Sequence, residues 1–133
     1  MLKRDSLTAQ MQQLSHTLAK VKRLIIEDQE AKALDEVTYT LGHYYGTSQK
    51  ELVAMSTDLF IDRIREQAYK SEELNMLAAF LDELAGLDDE EETRRNLWAK
   101  VIALYDFIEA EFQTLSFDHI ARRNILVEAL GTD

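Results

Sequence analysis

The residues of this chain that could do chemistry are histidines, carboxylates and arginines, and their spacing limits what they can do. The three histidines, His16, His43 and His119, stand at least 27 residues apart, and none lies three positions after a Glu. Carboxylate di-iron bundles need Glu-x-x-His pairs on facing helices, and zinc hydrolases need His-Glu-x-x-His. Neither pattern is present. Four glycines form no phosphate-cradling loop and no nucleophile elbow, and the lack of cysteine removes thiol nucleophiles, iron–sulfur ligation and zinc fingers. Carboxylate pairs such as Asp82/Glu83, Asp106/Glu109 and Glu109/Glu111 arise by chance in a chain with 25 acids and ordinarily face water. The expectation is a protein that is not an enzyme, with no catalytic residue, no metal ligand and no cofactor.

Recognition is the chemistry that remains. At 100° per residue Glu36, Tyr39 and His43 share one helix face, opposite Leu34, Val37, Leu41 and Tyr44. Two polar-tipped rings on an outer face suit contact with a partner; packing of that face on another hairpin would use the same residues. With Tyr45 and Trp98 these three are the interaction candidates, although a lone Trp beside an apolar stripe is more often core. Arg94/Arg95 and Arg122/Arg123 could hold an anion, but neighbouring arginines on helices more often balance nearby acids.

Charge narrows the partner. Fifteen Lys/Arg against 25 Asp/Glu give −10, which opposes binding to a phosphate backbone, so nucleic acid is not expected. Residues 1–27 carry five cations and two acids, +3, whereas residues 28–133 carry 10 and 23, −13. No apolar run approaches the ~20 residues that cross a bilayer, and no signal-peptide core develops near the N-terminus. A cytoplasmic protein that does not engage membranes is the expectation. Its 133 residues suit a single helical domain over 1–133, large enough for a core without disulfides or structural metal.

The elements that must position these residues are helical. There is no Pro, and apolar residues recur at helical spacing. Leu7, Met11, Leu14, Leu18, Val21 and Ile25 step by 4, 3, 4, 3 and 4, a coiled-coil-like seam over about Asp5 to Glu27. A second helix, about Glu30 to Tyr45, completes a hairpin. Ser48 with Glu51 predicts a capping box and a short third helix, and Ser56 starts a fourth, Asp58 to Tyr69. In the fifth, opened by Ser71, the stripe Leu74, Leu77, Leu81, Leu84 and a second stripe Met76, Phe80, Leu87 predict an internal helix ended by Gly86. Asp88 to Glu92 then face the positive end of a long helix, about Glu90 to Leu115. Ser116 caps a short final helix holding Ile120, Leu126, Val127 and Leu130. The reading is all-α, about six helices in stacked antiparallel hairpins.

Leu18 to Tyr45 and Leu74 to Phe107 share one plan: an apolar helix, a short acidic joint, and a second helix with small and aromatic residues, Ala31, Ala33 and Tyr39 in one and Trp98, Ala99 and Tyr105 in the other. This resembles degenerate tetratricopeptide-type hairpins. The whole chain, including LAAFLDELAGLDDEEETRRNLWAKVIALYDFIE, is similar to a family of small uncharacterised all-helical proteins of Gram-positive bacteria. That resemblance implies a hairpin array and assigns no functional residue.

The expected function is a non-enzymatic, tetratricopeptide-like interaction module that binds a protein or peptide, or its own copy through the basic N-terminal helix. The alternative is a small-molecule-binding regulatory or sensor domain, with its ligand between hairpins near Tyr44, Tyr45, Phe60 and Trp98.

Overall fold

A computed structural model describes residues 2–131, with side chains from residue 6 onward. The side chains of Lys3 and Arg4, two of the N-terminal cations, lie outside the described residues. Seven helices follow one another: α1 Leu2–Ile26, α2 Glu30–Tyr45, α3 Gln49–Ala54, α4 Thr57–Gln67, α5 Ser71–Leu87, α6 Glu91–Phe112 and α7 Phe117–Gly131. The described residues contain no strand. Each of the helical stretches expected forms a helix, seven with the final one, which at 15 residues is longer than the short helix expected there.

Serines start the short helices as the sequence predicts. Ser48 accepts from the Glu51 amide and Ser56 from the Leu59 amide, each satisfying one of the donors a helix start leaves open. The Ser48 box is only half formed, because the Glu51 carboxylate faces the Thr47 hydroxyl, 3.5 Å away. The α1–α2 joint closes by paired bonds, Gln29 N–H to Leu24 C=O and Asp28 N–H to Ile25 C=O, with Asp28 in the left-handed region at φ 58°. This is the Schellman arrangement, with Asp in place of the usual Gly. Gly46 ends α2 at φ 66°, where a side chain would be strained. Gly86, the expected stop of α5, lies inside the helix, which runs on to Leu87 and ends at an extended Asp88. Helix α6 stops at a left-handed Gln113, so Leu115 falls in the link to α7 and is exposed.

Helix α5 is the axis of the molecule. It packs against α1 and α2 on one side and α6 on the other, and buries Leu74, Leu77, Ala78, Phe80, Leu81, Leu84 and Ala85. Removing its four buried leucines and Phe80 from water contributes about 1.5–3 kcal/mol apiece, so this helix anchors both hairpins. Helix α6 contacts α3, α4, α5 and α7, giving a packed array of helical hairpins with α7 at its edge. In α2 the buried stripe is Ala33, Val37, Thr40 and Leu41; Leu34, expected in it, is partly exposed because the helix is rotated by about one residue.

One buried residue is a cation. Lys100 is only 1% exposed, and its ammonium donates to Asn96 Oδ1 at 2.7 Å. Asn96 in turn donates to the Val53 carbonyl at the C-terminal end of α3, where helix carbonyls lack intrahelical partners. Burial pushes the Lys100 pKa down from its ordinary value.

Candidate functional site

The expected interaction residues fall in three separate places. Tyr39 and His43 stack on each other in the outer groove between α1 and α2, with ring centroids 5.1 Å apart and Tyr39 65% exposed. Glu36 lines the same groove but is engaged by Lys20 at 2.6 Å. Tyr45 is in the core rather than on that face. Its hydroxyl donates to the Glu73 carbonyl, and burial pushes its pKa far above the ordinary phenol value. Trp98 is half-buried under the Arg94 guanidinium, 5.8 Å from the ring centroid, and its buried indole N–H meets no acceptor among the described residues.

The arginine pairs are structural, though only one pair balances acids as expected. Arg122 grips Asp82 with two bonds of 2.7 and 2.8 Å, and Arg123 pairs with Asp106 at 2.7 Å. Arg95 donates to the carbonyls of Ala129 and Leu130 near the end of α7, and Arg94 to the Asp88 carbonyl. Asp88 itself caps locally, accepting from the Glu90 amide, and takes a bond from Gln49. Beside the Asp82–Arg122 pair, the Tyr105 ring stacks on His119 with centroids 4.4 Å apart. Burial pushes Tyr105 up to about 12 and His119 below its ordinary value.

Between α2, α3, α4 and α5 lies a recess of about 120 Å³. Leu52, Phe60, Ile64 and Leu77 form its floor, Tyr45 and Tyr69 one side, and Glu51, Arg63 and Gln67 its mouth. Tyr45 and Phe60 thus meet at one cavity, as the small-molecule alternative expected, whereas Tyr44 lines the α1–α2 groove and Trp98 lines neither.

No protein-family model, curated protein or solved structure matches this chain. Among the described residues no group of three or more His, Asp and Glu is placed to hold a metal ion, and no helix is long and apolar enough to cross a membrane.

The most conspicuous surface was not singled out by the sequence reading. Helix α7 buries only Leu126. Its other side exposes Phe117 at 82% and Ile125 at 57%, together with Ala121 and Asn124; Val127, 52% exposed, lies on the flank opposite Ile125, and Leu115 just before the helix is 65% exposed. The arginine contacts that hold α7 to α5 and α6 all lie on its inner side, so they leave this face uncovered. The signal was in the sequence: Phe117, Ala121 and Ile125 recur every four residues, on the side of the helix away from Leu126 and Leu130.

Proposed function

We propose that this chain is a non-enzymatic helical interaction module, of the degenerate tetratricopeptide-like kind, that binds a protein partner. The observation that carries the reading is the outer face of α7. Helical arrays stay soluble when their edge helices turn polar faces outward, and α7 turns outward Phe117, Ile125 and Val127 instead. Large exposed apolar side chains set among polar ones, here Asp118, Asn124 and Glu128, support a docking surface on this helix.

Native mass spectrometry on protein isolated from its own cells tests this reading. The wild-type chain is expected to carry a bound partner chain or a second copy, and the double variant Phe117→Ser, Ile125→Ser to lose it. Bare monomer for both proteins, or the same complex for both at all concentrations, contradicts it.

A second reading, self-association through the N-terminal helix, rests on the length of α1. At ~1.5 Å per residue its 25 residues span ~37 Å against ~24 Å for the 16 of α2. The overhang presents half-buried Leu7 and Met11 along an open groove with His16 and Glu72. A dimer that survives the α7 variant but is lost on Leu7→Ser, Met11→Ser would favour it.

A further inference from the structure

The recess between α2, α3, α4 and α5 has the size and charge arrangement of a small-ligand site. Its volume of about 120 Å³ is somewhat below the roughly 150 Å³ cavity that accepts benzene, and far below the ~300–1,000 Å³ of clefts for larger ligands. One branched aliphatic group fits, whereas a nucleotide or a polycyclic molecule does not. The floor of Leu52, Phe60, Ile64 and Leu77 is apolar and recessed from the surface, so it favours such a group over a polar one.

The mouth adds specificity. Glu51 on α3 and Arg63 on α4 carry opposite charges there, and they form no ion pair with each other. Among the described residues Arg63 has no carboxylate partner at all, and Glu51 faces only the Thr47 hydroxyl. An acceptor for an ammonium and a donor for a carboxylate therefore stand beside one aliphatic hole. We infer that the recess binds a free aliphatic amino acid of leucine type, with the side chain on the floor, the ammonium at Glu51 and the carboxylate at Arg63. Both charged contacts belong to the α3–α4 segment, so the bound amino acid bridges these two short helices and ties them to Tyr45 of α2 and Leu77 of α5. This goes beyond the interaction reading, and the site shares no residue with α7.

Chemical-shift titration of the ¹⁵N-labelled full chain tests it, with free leucine and four analogues that each lack one feature. Leucine is expected to shift amides of residues 51–67 saturably. Leucinamide, without the carboxylate, and 4-methylpentanoate, without the ammonium, should each bind about tenfold more weakly or worse, as loss of a charged hydrogen bond implies. Glycine should have no effect. Arg63→Gln should abolish the preference of leucine over leucinamide, and Glu51→Gln that over 4-methylpentanoate; both positions are exposed, so the fold is kept. No saturable shift at millimolar leucine, or equal binding of leucine and leucinamide, overturns the inference. N-acetylleucine binding as tightly as leucine overturns it too, because a blocked amine would mark a peptide end as the occupant. None of these results bears on the α7 surface, which the Phe117→Ser, Ile125→Ser variant tests separately.

Discussion

The Tyr44 hydroxyl donates a 2.8 Å hydrogen bond to Oε2 of Glu73 and so ties the second helix of the first hairpin to the start of α5. The other carboxylate oxygen of Glu73 accepts from the Lys70 amide at 2.9 Å, which caps α5. One side chain thus serves helix initiation and hairpin docking together.

Replacing Glu73 by Ala should cost about 2 kcal/mol, the sum of a lost cap and a lost charged hydrogen bond, whereas Tyr44→Phe should cost about 1. Urea unfolding at neutral pH measures both. The Tyr45 hydroxyl bond to the Glu73 carbonyl survives either change. Equal losses for the two variants would mean that the cap contributes nothing.

Lys100 should be better replaced than kept. Its burial without a carboxylate costs desolvation that one amide oxygen only partly offsets, so Lys100→Met is expected to raise stability by about 1 kcal/mol at pH 7. Asn96 keeps its bond to the Val53 carbonyl in the variant. A loss exceeding 1 kcal/mol in the same urea series would show that the ammonium has a role in holding α3 to α6.

Alkaline pH separates two opposing groups. Tyr105 is raised from 10.0 to about 12 in the fold, and Tyr44, Tyr45 and Tyr69 are raised as well, each chiefly by burial. A raised folded pKa gives stability that is complete below the unfolded value and is lost as pH climbs toward the folded one. Stability should therefore fall from about pH 10 toward 12. Lys100, lowered in the fold, has the reverse sign: its penalty is relieved as pH rises from its folded value toward 10.5. The decline above pH 10 should be shallower in Tyr105→Phe, as read by urea midpoints at pH 8, 10 and 11.

Much of this fold is legible in the sequence. The two apolar stripes of α5 required a helix buried on both sides, and Ser48, Ser56 and Ser116 mark helix starts because a hydroxyl there satisfies an amide that nothing else reaches. Rotation about a helix axis is less legible: Leu34 and Ala33 differ by 100°, and the choice between them depends on how closely α1 and α5 approach. Tyr45 and Tyr39 look alike as polar-tipped rings; only the packing of α2 on α5 puts one in the core and the other on the surface. A buried lysine carries no sequence signal, since its type predicts a solvated position. The recess between α2 and α5 joins residues from 45 to 77, which no local pattern connects.

Helix α7 should be the first part to open. It buries one apolar side chain and is otherwise fastened by the His119–Tyr105 stack and by arginine contacts, among them the half-buried Arg122–Asp82 pair. Asp82→Asn weakens that pair, so amide exchange over residues 117–131 should quicken several-fold while α1 and α2 keep their protection. Uniform acceleration along the whole chain would contradict this view of α7 as a separately fastened edge.

The account stands or falls on the outer face of α7, and site-specific photo-crosslinking in the protein's own cells tests it most directly. A benzophenone side chain at position 117, where Phe117 is exposed, should yield a discrete crosslinked species; the same probe at exposed Asp62 on α4 should not. Absence of any adduct at 117, or an identical pattern from both positions, would contradict the claim that this face is where the chain meets its partner.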